Sequence, residues 1–400
     1  MTAAHGDVRR QFLVLCLQTI LFQAAIFLIR PTASYRALEL GVPVGWLGAL
    51  AAAFAIVPLV LALPAGDAVD RWGERTVLLA GAALVCTAAG VFLFVAHSFA
   101  MVLLATALLG AGHLLSVVGQ QALVANITPG RNLDSAYGYY TFAGALGQAV
   151  GPGLLGLFDG GSSIPATQSA FLAGVALALA LLAGTFFMRG SARSTRSGLQ
   201  RAERRLSTLL RTPHLLRALT VSGIVLASME ITLVYLPALG TEQEISVSLV
   251  SGLLTVRALA SMASRFMLGR LSRLFGRRIL LTSAIVVTGV ATAVLATPVP
   301  SLALLVAAAA LGFGFGMCQP LTLSWLAEIA PAGSRGRVMS IRLTGNRLAQ
   351  VLVPSSVGLL AAGLGAGGVL WLTAAMTVGA GTLARSVPLD GEPGDSRPDG

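Results

Sequence analysis

Twelve runs of about 20 mainly apolar residues, each long enough to cross a bilayer as a helix, follow one another along this chain. They lie at 11–30, 43–64, 76–96, 100–124, 137–158, 166–188, 214–237, 247–267, 278–297, 301–326, 340–361 and 368–385. Such a chain has few folds open to it. Inside hydrocarbon the backbone must satisfy its own polar groups, so each run is predicted to be a spanning α-helix. Several runs end at proline, as at Pro31, Pro237 and Pro298. The charged fraction, 11%, is less than half of the roughly 25% usual in soluble domains.

The second half of the chain repeats the first at an offset of about 200 residues. Gly66-Asp67-Ala68-Val69-Asp70-Arg71-Trp72-Gly73-Glu74-Arg75 returns as Gly269-Arg270-Leu271-Ser272-Arg273-Leu274-Phe275-Gly276-Arg277-Arg278. Gly110 and Gly112 match Gly312 and Gly314, and Pro129, Pro152 and Gly156 match Pro331, Pro354 and Gly358. One offset shared by so many landmarks predicts duplication of a whole bundle. The expected architecture is all-α: a six-helix bundle over 1–188, an arginine-rich linker over 189–213, a second six-helix bundle over 214–386, and a disordered tail over 387–400.

The net charge of +11 is carried by arginine alone among the basic residues, and it is distributed between the apolar runs. That distribution excludes a folded nucleic-acid-binding domain and fits the positive-inside rule. Arg71, Arg75, Arg131, the linker arginines, Arg270 to Arg278 and Arg335 to Arg342 share one side. Arg36, with Arg30 near it, and the acids Glu39, Asp159, Glu242 and Glu244 share the other. Both termini are therefore expected in the cytoplasm. Cys16, Cys86 and Cys318 have neither metal-site nor disulfide spacing, and no cofactor is expected. The apolar run after Arg9 and Arg10 exceeds a signal-peptide core and reads as a retained first span.

Ionisable residues within the spans are the functional candidates, because each costs several kcal/mol in hydrocarbon unless it meets a polar cavity or a partner. They are His113 in span 4, Glu230 in span 7, Arg257 in span 8 and Arg347 in span 11, whereas the interiors of spans 3, 6, 9 and 12 hold none. Helical rise places Glu230 and Arg257 within reach of each other if their helices face. An isolated buried carboxylate takes up a proton, and one held by arginine stays charged. Glu230 thus reads as a proton carrier, a structural partner or a direct cargo contact. His113 reads either as a second titrating group or as a buried hydrogen-bonding residue. Gln23, Gln148 and Tyr140 are further polar residues expected at the cavity. Arg342 and Arg347 are placed to pair with Glu328 or Asp70 as an inner gate, and Arg30, before Pro31, is expected to snorkel to the outer surface.

Gly66, Asp70, Arg71, Gly73 and Arg75 resemble the signature Gly-x-x-x-Asp-Arg-x-Gly-x-Arg of the major facilitator superfamily; Glu74 departs from it, and Arg273 replaces the acid in the second copy. Gly138, Gly147, Gly151, Pro152 and Gly156 are similar to the antiporter motif of its proton-driven drug exporters, with Leu155 at a position usually glycine. The resemblance implies that Asp70 meets helix 11 in the outward-facing state and that the span-5 motif seals one side of the cavity. Small residues one turn apart allow that approach.

What the resemblance implies is a monomeric, multi-pass secondary transporter of a bacterial plasma membrane, not an enzyme. It would work by alternating access, with protons, a small-molecule substrate and the bilayer as its partners. Proton-coupled efflux of a small amphipathic compound is the leading expectation; the alternative is uptake of a small organic anion, because Arg257 is a midplane cation able to hold a carboxylate or phosphate as a cargo contact. Helix 1 offers Gln18 and Gln23 where cation exporters usually carry an acid, which disfavours bulky cations.

Overall fold

The computed structural model describes residues 2–128, 133–161, 163–188, 215–329 and 335–385. The linker over 189–213, Arg131, the side chain of Glu328 and the tail over 387–400 lie outside the described residues. Twelve long helices run through the rest: α1 (Thr2–Glu39), α2 (Gly48–Trp72), α3 (Glu74–Phe94), α4 (Phe99–Ile127), α5 (Leu133–Leu155), α6 (Thr167–Phe186), α7 (Leu215–Glu242), α8 (Val247–Phe275), α9 (Arg277–Leu295), α10 (Ser301–Ile329), α11 (Arg335–Leu360) and α12 (Gly365–Arg385). Eleven are long and apolar enough to cross a membrane; α11, which carries Arg335, Arg337, Arg342 and Arg347, is the other.

Of the three prolines expected to end helices, only Pro298 lies beyond one, α9 stopping at Leu295. α1 continues through Pro31 to Glu39, and α7 through Pro237 to Glu242. A proline inside a helix removes one backbone bond, and tight packing on neighbours retains the helix beyond it.

The duplication is architectural. Within the first half α1 packs on α5 and α6, α4 on α2 and α3, and α3 on α6; α7 to α12 repeat each of these pairings. Between the halves, α5 lies on α8 and α2 on α11, an exchange expected of a two-fold relation, while α1 meets α7 on the axis. Helices α3, α6, α9 and α12, charged at most at their ends, pack chiefly within their own halves, so they flank the boundary instead of lining it.

Local details repeat as well. Gly73 and Gly276 each join two helices, with φ 82° and ψ 158° in one and φ 75° and ψ 154° in the other. Only glycine adopts that backbone region readily. Arg75 Nη2 donates to the carbonyl of Phe186 at the end of α6, and Arg278 donates to that of Arg385 at the end of α12. At the other end, Glu39 accepts from Thr167 Oγ1 at the start of α6, and Glu242 from the Ala366 N–H at the start of α12. Cations at carboxyl ends and anions at amino ends complement the helix dipoles. These contacts distinguish an arginine-rich end of the bundle from an arginine-poor end.

Candidate functional site

Because α1 continues past Pro31, Arg30 lies three turns inside it and is 6% exposed. Its guanidinium pairs with Glu230 of α7, also 6% exposed, and lies over the ring of Phe54 at 4.0 Å. Arg30 is therefore a buried partner of Glu230 and not a snorkelling surface residue. Glu230 Oε1 also accepts from Gln350 Nε2 at 3.1 Å, and Gln350 Oε1 accepts from Arg347 Nη1 at 3.0 Å. The chain Arg30–Glu230–Gln350–Arg347 crosses between the halves.

Arg257 was a candidate cargo contact and a possible partner of Glu230. It is 3% exposed, and its Nε and Nη2 have no hydrogen-bond partner. A Cβ on Gly312 would stand 2.0 Å from the Arg257 carbonyl, so α10 presses directly on α8 at this level. The first half repeats the contact, with Gly110 against the carbonyl of Phe54. Arg257 thus occupies the position that Phe54 holds in the other copy. His113 lies between Phe22 and Phe54 at ring separations of 5.4 and 5.2 Å, tilted by 31° and 57°, with Nδ1 unpartnered.

Gln23 is buried with Oε1 unpartnered, and Gln148 is half-buried. Tyr140 does not join them. It donates to Gln120 Oε1 at 3.1 Å, and Gln120 donates to Gln18 Oε1 at 2.6 Å. Tyr140 packs in a separate cluster with Leu15, Leu78, Leu123 and Val124. Its hydroxyl serves helix packing in the first half, not the boundary.

The arginine-poor side of the boundary is closed. The space beside Arg30, between Leu50, Phe92, Thr106 and Val234, is about 10 Å³, at the lower limit for one water. Beyond it, Ser248 Oγ, Ser251 Oγ and Thr255 Oγ1 on α8 donate to the carbonyls of Gly156, Pro152 and Ala149. Their spacing sets three hydroxyls on one helix face. The Ser248 N–H, in the first turn of α8, donates to Asp159 Oδ2 at 2.9 Å. Similarly, a Cβ on Gly48 would stand 2.3 Å from the Pro354 carbonyl, joining α2 to α11.

The span-5 motif divides its work. Gly147 and Gly151 pack on α1, where added Cβ atoms would meet Ile20 O at 2.5 Å and Ala24 O at 2.6 Å. Pro152 and Gly156 face α8 in the other half, and Gly138 has nothing within 4 Å. The first signature is also divided. Gly73 holds the turn and Arg75 caps α6, whereas a Cβ on Gly66 would meet nothing. Asp70 and Arg71 are exposed, and among the described residues no bond joins Asp70 to α11. Of the expected inner gate, the Glu328 side chain lies outside the described residues; among those described, Arg342 donates to Gln319 Oε1 at 3.2 Å and Arg347 to Gln350, and neither pairs with Asp70. With the halves closed at the arginine-poor end, the two groups expected to form that gate bond within their own half.

Sequence reasoning did not single out Gln350, Ser248, Ser251 or Thr255. The α8 hydroxyls carry a legible signal, recurring at three- and four-residue intervals opposite Ala149, Pro152 and Gly156.

The sequence profile of the Major Facilitator Superfamily matches residues 15–243 and 219–400. The quinolone resistance protein NorA of Staphylococcus aureus strain MRSA252 is 25% identical over 223 residues, 54% of this chain and 56% of that protein. The chain thus spans about half the length of the curated relatives it matches. The nucleoside transporter NupG superimposes with a TM-score of 0.76 at 13% identity, covering 92% of this chain and 98% of that one. The inward-open xylose transporter XylE from E. coli gives 0.75 at 16% identity, covering 96% and 97%. These likenesses concern the fold. The profile match over both halves, with the repeated glycine turn, makes this chain a member of the Major Facilitator Superfamily.

Proposed function

We propose that this protein is a proton-coupled secondary transporter that exports a small amphipathic compound by alternating access. The observation that carries the reading is the buried ion pair between Arg30 and Glu230, one partner from each half. A carboxylate alone in an apolar wall takes up a proton, and a guanidinium brought against it favours the charged form and drives the proton off. Opening at the arginine-poor end parts α1 from α7 and withdraws Arg30, the ion-paired partner of Glu230, so that the carboxylate can collect a proton there. Closure returns Arg30 to Glu230 and expels the proton towards the arginine-rich side. The charged groups around the carboxylate are Arg30 on α1, Arg347 on α11 and Arg257 on α8, with Gln350 bonded to it and His113 on α4 in the same electrostatic cluster.

The excess of arginine at one end supports a cytoplasmic location for that end and for both termini. Asp70 is then released from α11 because the closed side is the outer one, and its contact with α11 belongs to the opposite state. Gln23, Gln148 and Arg257 are the side chains offered to cargo. The relatives' link to quinolone resistance makes a fluorescent quinolone the first compound to try.

The test is transport into proteoliposomes under an imposed pH gradient. The wild type should accumulate the quinolone and lose it on addition of a protonophore. Glu230→Gln should equilibrate the compound without accumulation. A Glu230→Gln protein that still responds to the gradient removes Glu230 as the proton site.

A further inference from the structure

Charges at the boundary between the halves do not balance. Arg30, Arg257 and Arg347 lie within one electrostatic cluster whose acid is Glu230. Counted along their helices from the arginine-poor end, all four sit at roughly the same depth, about 14–20 Å. Glu230 is engaged by Arg30 and Gln350, and Arg347 is engaged by Gln350. Arg257 is left, almost fully buried, with two donors unused.

Those two donors are not scattered. Nε and Nη2 form one edge of the guanidinium, and their parallel N–H bonds match the two oxygens of a carboxylate. The backbone beneath is fixed, because Gly312 brings α10 against the Arg257 carbonyl. An unmet guanidinium edge is costly in a membrane interior, and among the described residues no carboxylate is ion-paired or hydrogen-bonded to it.

We propose that Arg257 is an anion site, and that the cargo carries a carboxylate which docks side-on against Nε and Nη2. This rests on the transport reading above and narrows its cargo from an amphipathic compound to an amphipathic acid. A neutral compound leaves the cluster in excess positive charge, and a cationic one adds to it. A carboxylate docked on Arg257 of α8 does not use the groups that hold Glu230, namely Arg30 and Gln350, so the two sites can be tested by separate substitutions.

The experiment is thermal unfolding of the purified full chain in detergent. The probes are acetate, hexanoate and benzoate, each compared with its neutral amide, together with benzylamine, chloride and inorganic phosphate. At least one carboxylate should raise the melting temperature of the wild type while its amide and benzylamine do not. Arg257→Gln should abolish that shift and unfold several degrees higher than the wild type without ligand, because an unpaired buried charge has been removed. Arg257→Lys, which keeps the charge without the fork, should bind the carboxylate at least about tenfold more weakly. Glu230→Gln should keep the shift, so loss of proton coupling with retained carboxylate binding separates failure of the transport reading from failure of this one. A response to chloride or phosphate alone makes the site an inorganic-ion site and overturns the cargo assignment. So do equal shifts by acid and amide, no shift by any carboxylate, or an Arg257→Gln protein less stable than the wild type.

Discussion

Ser251 Oγ donates to the carbonyl of Pro152, from α8 of one half to α5 of the other. Ser248 and Thr255 extend the contact to Gly156 and Ala149. Each such bond contributes about 0.5–1.5 kcal/mol net. Ser251→Ala with Thr255→Val should therefore raise the population open at the arginine-poor end about tenfold. Spin labels on Gly160→Cys and Gln243→Cys, with the native cysteines replaced, report that opening as a longer interlabel distance. An unchanged distance distribution would show that the hydroxyls do not hold this side shut.

The pair of Arg30 with Glu230 should behave as a coupled buried unit. Removing one member leaves a buried charge alone, so Arg30→Gln and Glu230→Gln should each destabilise by about 3–5 kcal/mol. The double substitution should cost well under the sum, with a coupling above about 2 kcal/mol. Chemical unfolding in micelles measures the cycle, and additive losses would mean the two side chains are not partners in solution.

Glycine substitutions should separate shape from sequence pattern. Gly73→Ala and Gly276→Ala force a Cβ onto a positive φ and should each cost about 1–3 kcal/mol. Gly66→Ala and Gly269→Ala, where a Cβ meets nothing within 4 Å, should leave the unfolding midpoint unchanged. Equal losses at all four positions would make the whole signature a packing surface.

Asp159 gives the closure a pH dependence. Hydrogen bonds from Ser248, first its side chain and then its backbone, hold the Asp159 carboxyl below the usual carboxylate range. The bonded state therefore favours the charged form. Its contribution is present above the free-carboxyl value and lost as pH falls through the lowered one, so the effect belongs below about pH 4. The label pair above should report more opening as pH drops through that window, and Asp159→Asn should abolish the change there.

Much of the fold was legible in the sequence, because twelve apolar runs and a repeated glycine turn leave little freedom. Gly73 and Gly276 were readable since their conformation admits essentially one residue type. The site was readable only in part. Glu230 and Arg257 stood out as ionisable groups in apolar runs, but the partner of Glu230 did not. Pro31 looked like a helix end, which put Arg30 at the surface; the continuation of α1 to Glu39 buries it instead. Tyr140 was misplaced for a related reason: periodicity shows which residues share a helix, not which face turns towards the other half.

The offset that superimposes Glu39 on Glu242 pairs Arg30 with Leu233 and Glu230 with Phe27. Two copies of either half, assembled about the same axis, would not reproduce the pair of Arg30 with Glu230. The tie across the axis therefore depends on the two copies being unlike each other, and belongs to the fused chain alone.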